Sequence, residues 1–76
     1  MSETTMSSQY ASRYDGHISL EFEWICPVCH YPVEGMFQDD DMKDGDEMII
    51  TDTCPNCGEE VNVETDGGIE IDDLDD

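Results

Sequence analysis

Positive charge is what this sequence most lacks. Of 76 residues only Arg13 and Lys43 carry a fixed cation, against 21 aspartates and glutamates, for a formal net charge of −19. Direct nucleic-acid binding is therefore not expected, because no basic patch exists to displace counterions from phosphates. Long apolar runs are missing as well. No stretch approaches the roughly 18 residues a membrane helix needs, so no membrane span is expected. The stretch from Met1 to Asp15 has no charged segment leading into an apolar one, which argues against an export signal and for a cytoplasmic protein. No apolar pattern of helical period runs for a useful length. Histidine occurs twice, as His17 and His30, and no Ser-His-Asp or Cys-His nucleophile arrangement is legible. An enzyme is not expected.

The acidic excess has its own reading. A chain this negative repels itself in dilute buffer. At molar salt the Debye length falls to about 3 Å and the repulsion is screened. The acids are spread along the whole chain and not gathered in one block, which points to a salt-rich cytoplasm such as that of halophilic archaea. A basic partner is the alternative. With 37% hydrophobic residues the core must be small, and a domain of this size needs a staple.

Four cysteines supply one. They fall in two stretches, Cys26-Pro27-Val28-Cys29 and Cys54-Pro55-Asn56-Cys57, separated by residues 30–53. Two thiols spaced this closely rarely form a relaxed bridge to each other, and a thioredoxin-like site needs a βαβ frame that this length cannot hold. Two such pairs can surround one tetrahedral metal at about 2.3 Å, and thiolate ligands suit zinc. The predicted cofactor is one structural Zn²⁺ on Cys26, Cys29, Cys54 and Cys57. With all four positions taken by sulfur, none stays open for water or substrate. Each C-P-x-C is expected to turn tightly at a hairpin tip, its backbone N–H groups donating to sulfur. The residue after each pair favours a left-handed backbone, which suits Gly58 and is tolerated by His30. Zinc binding of this kind carries about 10–16 kcal/mol, much of it expressed as folding, so the metal-free chain is expected to be largely unfolded.

Along the chain, residues 1–17 are rich in Ser and Thr and read as a flexible polar arm carrying Tyr10, Arg13 and Tyr14. Leu20 to Ile25 alternates as a half-buried strand. Tyr31 to Phe37 leaves the first cysteine pair, and Pro32 argues for an edge. Gln38 to Glu47 is an acidic loop. It fails as a calcium loop, because Met42 and Thr51 fall where oxygen ligands are required. Met48 to Thr51 is the next strand. Val61 and Val63 lie before Asp66-Gly67-Gly68, a hairpin signal, with Ile69 and Ile71 beyond it. The expected division is a flexible arm over residues 1–17, a three-stranded zinc ribbon over 18–72 and an acidic tail over 73–76, in a small metal-stabilised all-β fold.

Cys26-Pro27-Val28-Cys29 and Cys54-Pro55-Asn56-Cys57-Gly58, on an acidic scaffold, resemble the zinc ribbons of small C-P-x-C zinc-finger proteins abundant in halophilic archaea and found in their viruses. The resemblance covers about residues 20–72 and departs at His30, where Gly is usual. It implies a structural zinc and a role in binding other macromolecules: a small subunit or adaptor of a larger assembly, in a high-salt cytoplasm or a virion. The partner would be a protein or multi-subunit assembly such as a polymerase, a ribosome, a regulator or a virion shell. Trp24, Phe22, Tyr31 and Phe37 are the candidate contact residues, since interfaces favour aromatics. Three other readings stand beside this one. Cys26-Pro27-Val28-Cys29-His30 fits a c-type haem attachment, with Met36, Met42 or Met48 as axial ligand. The same four thiolates suit iron, as in rubredoxin-like electron carriers. Asp46-Glu47 matches the Mg²⁺-holding acidic pair of the RNA polymerase-associated zinc ribbons of transcript-cleavage factors.

Overall fold

The cleanest alternation in the sequence sets Ile18, Leu20, Phe22 and Trp24 against Ser19, Glu21 and Glu23. It becomes the longest strand of a computed structural model that describes residues 2–74. The strands are β1 (Ser2–Thr5), β2 (Ser8–Tyr14), β3 (His17–Ile25), β4 (Pro32–Asp39), β5 (Ile49–Thr53), β6 (Glu60–Glu64) and β7 (Ile71–Asp73). Among the described residues there is no helix, and so none long and apolar enough to cross a membrane. Four strands form one sheet in the order β4-β3-β2-β7, antiparallel except for the parallel pair β2–β7. Three form a second sheet, β1-β6-β5, with β1 parallel to β6 and β5 antiparallel to it. Pro32 opens β4 at the edge of the first sheet, as expected of a residue that cannot donate to a ladder.

The inward faces of the two sheets make one core. Ile18, Leu20, Phe22 and Trp24 from β3 meet Val61 and Val63 from β6, with Met6, Ala11, Val33, Met42 and Ile69 filling around them. Trp24 is fully buried, and its indole N–H donates to Asp52 Oδ2 at 3.3 Å. That bond runs from β3 to β5, across the sheets. Phe22 is 4% exposed. Its ring lies over Gly35, where an added Cβ would stand 2.5 Å from the ring tip. Trp24 and Phe22 are therefore core residues, which corrects their assignment as partner contacts. Phe37 packs against the same core, and Tyr31 alone of the four is exposed, at 45%.

The flexible arm expected over residues 1–17 is also corrected. Ser2–Thr5 pairs with Val61–Glu64, and Ser8–Tyr14 pairs with β3. Between them the chain changes sheets. The Met6 N–H donates to the Glu64 carbonyl and the Ser7 N–H to the Glu23 carbonyl, both at 2.8 Å. Few apolar residues are needed, because main-chain ladders hold the segment and only Met6 and Ala11 enter the core. The hairpin expected at Asp66-Gly67-Gly68 does not form either. β6 and β7 belong to different sheets, and the chain crosses between them through fully buried Ile69. Gln9 ties the two crossings together: its Oε1 accepts from the Asp66 N–H at 2.8 Å, and its Nε2 donates to the Asp66 carbonyl at 3.3 Å.

The second crossing also fastens the acidic loop. The Ile69 N–H donates to the Asp46 carbonyl at 2.9 Å, the Gly45 N–H donates to the Ile69 carbonyl at 2.6 Å, and the Met42 side chain is buried. A Cβ on Gly68 would stand 2.9 Å from Gly45 Cα, so the close approach of the two segments requires glycine there. At the C-terminus, Asp72 and Asp73 lie in β7. Arg13 Nη1 is 3.6 Å from Asp73 Oδ2, and the Leu74 N–H donates to the Arg13 carbonyl at 2.8 Å. The acidic tail expected over 73–76 thus begins inside a strand, and residues 75–76 lie outside the described residues. The three-stranded ribbon of the sequence reading becomes two sheets because the pairings that add strands join residues far apart in the chain.

Replacing Asp52 by Ala leaves the Trp24 N–H buried without an acceptor. It should cost about 1–3 kcal/mol, read as a lower denaturation midpoint at constant salt, whereas Asp52→Asn keeps an acceptor and should cost less. Equal effects of the two would show that the bond does not hold the sheets together.

Candidate metal centre

Two hairpins deliver the cysteines. β3 and β4 are joined by Cys26–Cys29, and β5 and β6 by Cys54–Cys57, so each pair sits at a hairpin tip as the spacing predicts. The two tips repeat each other bond for bond. The Cys26 N–H donates to the Tyr31 carbonyl at 3.0 Å and the His30 N–H to the Cys26 carbonyl at 2.9 Å. In the other tip the Cys54 N–H donates to the Glu59 carbonyl at 3.0 Å and the Gly58 N–H to the Cys54 carbonyl at 2.9 Å. His30 and Gly58 close these turns with φ of 63° and 79°, the left-handed backbone expected at both positions. In each tip the first cysteine is buried and the second lies nearer the surface: Cys26 and Cys54 are at 0% exposure, Cys29 is half-buried and Cys57 is exposed.

The four Sγ atoms all lie within 4.8 Å of one another. Cys26 and Cys57 are 3.6 Å apart, as are Cys29 and Cys54. A tetrahedron with metal–sulfur arms of about 2.3 Å has edges of about 3.8 Å, so the spacing suits one ion at the centre. All four cysteines are free thiols, and the site can hold one metal ion.

Donors around the sulfurs prepare them for a cation. The Val28 N–H donates to Cys26 Sγ at 3.4 Å. The Asn56 side chain, reaching over from the opposite tip, does most to hold the Cys29 thiol down, to about 6. The Tyr31 backbone N–H adds to this and burial opposes it. At Cys57 the Glu59 backbone N–H also lowers the thiol, but the loss of water around its Sγ and the three neighbouring sulfurs outweigh it and push the group up to about 12, although the residue as a whole is exposed. Four thiolates cannot share so small a volume without a counter-charge. A divalent ion supplies it and releases protons as it binds, so affinity rises with pH. Asn56 went unrecognised in the sequence. Its only mark there is that it is the polar residue of the two inside the C-P-x-C turns.

The chain matches no protein-family model, no curated protein and no solved structure.

The residues of the other readings lie as follows. His30 is exposed in its turn, Met36 is exposed, Met42 is in the core and Met48 packs against it. Asp46 and Glu47 lie in the connection from β4 to β5, which joins different sheets and is not a hairpin tip. Asp46 Oδ2 accepts from the Lys43 N–H at 2.9 Å, so this carboxylate caps its own loop.

Loss of an outer donor to a metal-bound group typically weakens binding about 10–100-fold. Asn56→Ala should fall in that range in a competition titration with a chromophoric chelator, and Cys29→Ser should cost more. Gly58→Ala has open space for its Cβ, so only the left-handed backbone is penalised, by about 1–2 kcal/mol. His30→Gly should be neutral or stabilising in the same assay. An Asn56→Ala affinity equal to the native one would remove the cross-tip donor from the account.

Proposed function

We propose that this protein is a zinc-stabilised interaction module without enzymatic activity, acting as a small subunit or adaptor of a larger macromolecular assembly in a halophilic, archaeal or viral, setting. The observation that carries the reading is the convergence of four cysteine sulfurs, and among the described residues of no other ligand type, on one point between two hairpin tips. Thiolates favour zinc among the abundant divalent ions, and a set of four sulfurs fills a tetrahedral zinc ion without leaving a position for water. Such an ion holds shape and does not activate substrate. The resemblance to C-P-x-C zinc ribbons supports the same assignment.

The surface supports the high-salt setting. Glu23 and Glu34 stand directly opposite each other in the β3–β4 ladder. Like charges so placed are destabilising in dilute buffer, and salt screens them. Binding to a protein assembly is favoured over nucleic acid because only Arg13 and Lys43 are cationic, and Arg13 is engaged with Asp73.

Elemental analysis of protein purified in high salt should find one zinc per chain and a colourless spectrum. A red, iron-loaded protein would favour the rubredoxin-like alternative. Affinity capture from a high-salt lysate of the source organism should recover a stoichiometric protein partner. A chain that stays monomeric and captures nothing under those conditions contradicts the adaptor function.

A further inference from the structure

The edge of the larger sheet carries backbone groups and side chains whose chemistry specifies what fits it. Among the described residues no strand pairs with the outer side of β4. Which of its backbone groups face outward follows from the ladder. The Cys26 N–H donates to the Tyr31 carbonyl, and bonded and non-bonded pairs alternate along an antiparallel ladder. With Trp24 opposite Val33, Phe22 opposite Gly35 and Leu20 opposite Phe37, those are the bonded pairs. The N–H and C=O groups of Glu34, Met36 and Gln38 therefore point away from β3, along the open edge. Pro32 offers only its carbonyl.

Two hollows open on the outer face of the sheet and reach this strand. One, of about 500 Å³, is lined by Tyr10, Glu21, Glu23, Glu34 and Met36 among others. The next, of about 340 Å³, is lined by Tyr31, Pro32 and Pro55 and by the same Glu23 and Glu34. They share the two glutamates, and the larger one crosses β2, β3 and β4 from Tyr10 past Glu21 to Met36. Along β4 itself the outward side chains read Pro32, Glu34 and Met36, with Glu23 and Glu21 behind the last two on β3.

We propose that this edge is a docking site for an extended, basic segment of a partner protein, which adds as a strand beside β4. The inference deepens the adaptor function and rests on it. Alternate side chains of a strand lie about 6.6–6.8 Å apart on one face, so the match is apolar–x–basic–x–apolar. On the outward face of β4, one apolar side chain lies against Pro32, a lysine or arginine against Glu34, and a second apolar side chain against Met36. Main-chain bonds to Glu34, Met36 and Gln38 supply affinity, and the side-chain pockets supply choice. The cation also relieves the repulsion between the two glutamates. A second copy of this chain fits badly, since it brings another acidic strand to an acidic edge.

The test is a titration of the full, metal-loaded, ¹⁵N-labelled chain with a synthetic peptide, Ser-Leu-Thr-Lys-Thr-Leu-Ser. Amide shifts should concentrate at Glu34, Met36 and Gln38. Exchanging the peptide's Lys for Glu, N-methylating its backbone at alternate residues, or introducing Glu34→Lys into the protein should each weaken binding about tenfold or more. No binding at millimolar peptide, shifts centred on another surface, indifference to these changes, or concentration-dependent self-association along β4 would each overturn the proposal. A cellular partner captured equally well by the Glu34→Lys chain also overturns this surface while leaving the adaptor function standing. Capture of no partner by the native chain removes both.

Discussion

Four sulfurs brought together from two sheets are the constraint on which this molecule depends. Each hairpin tip is a complete local structure, with its own pair of backbone bonds and its own left-handed closing residue. Neither tip can satisfy its sulfurs alone. Cys29 leans toward the thiolate and Cys57 is pushed toward the thiol, because sulfurs this close do not all ionise without a counter-charge. In a chain with two cationic side chains, a metal ion is the available source. Bound there, an ion would act as cross-link and counter-charge at once, and for so small and so negative a fold both roles matter.

Around that centre the chain itself does the rest of the joining. It passes between the sheets near Met6 and Ser7 and again through Ile69, and Gln9 and Asp66 bond the two passages to each other. Trp24 and Asp52 add a link between β3 and β5. Among the described residues these contacts leave the outer side of β4 unpaired. Cysteine tips, core and edge strand are one continuous structure: Cys26 follows Trp24 by two residues, just past the end of β3, and Tyr31 and Pro32 lead straight from the first tip into β4.

Much of the site was legible because it is local. Spacing alone placed Cys26, Cys29, Cys54 and Cys57, the turn chemistry placed His30 and Gly58, and alternation placed Leu20, Phe22 and Trp24 on one face. Pro32 marked an edge for the same local reason. What escaped was non-local. Ser2–Thr5 pairs with residues 61–64, and nothing in a short polar run announces a partner so distant. Asp66-Gly67-Gly68 carries the composition of a hairpin turn, but buried Ile69 and its bonds to Gly45 and Asp46 draw the chain to the other sheet. Trp24 and Phe22 looked available for contact on the premise that a small ribbon cannot bury every aromatic. The second sheet supplies the cover that premise omitted. Asn56 was missed because its sulfur partner belongs to the other tip.

The central claim is that the ion at the tips holds the two sheets together, and Trp24 reports on it directly. The measurement is the fluorescence of this single tryptophan while the metal is stripped with a strong chelator under reducing conditions, at molar salt so that charge repulsion stays screened. If the account holds, emission shifts to longer wavelength as Trp24 meets water, and returns when one equivalent of zinc is added. Emission that stays at its buried wavelength with the metal gone would contradict it.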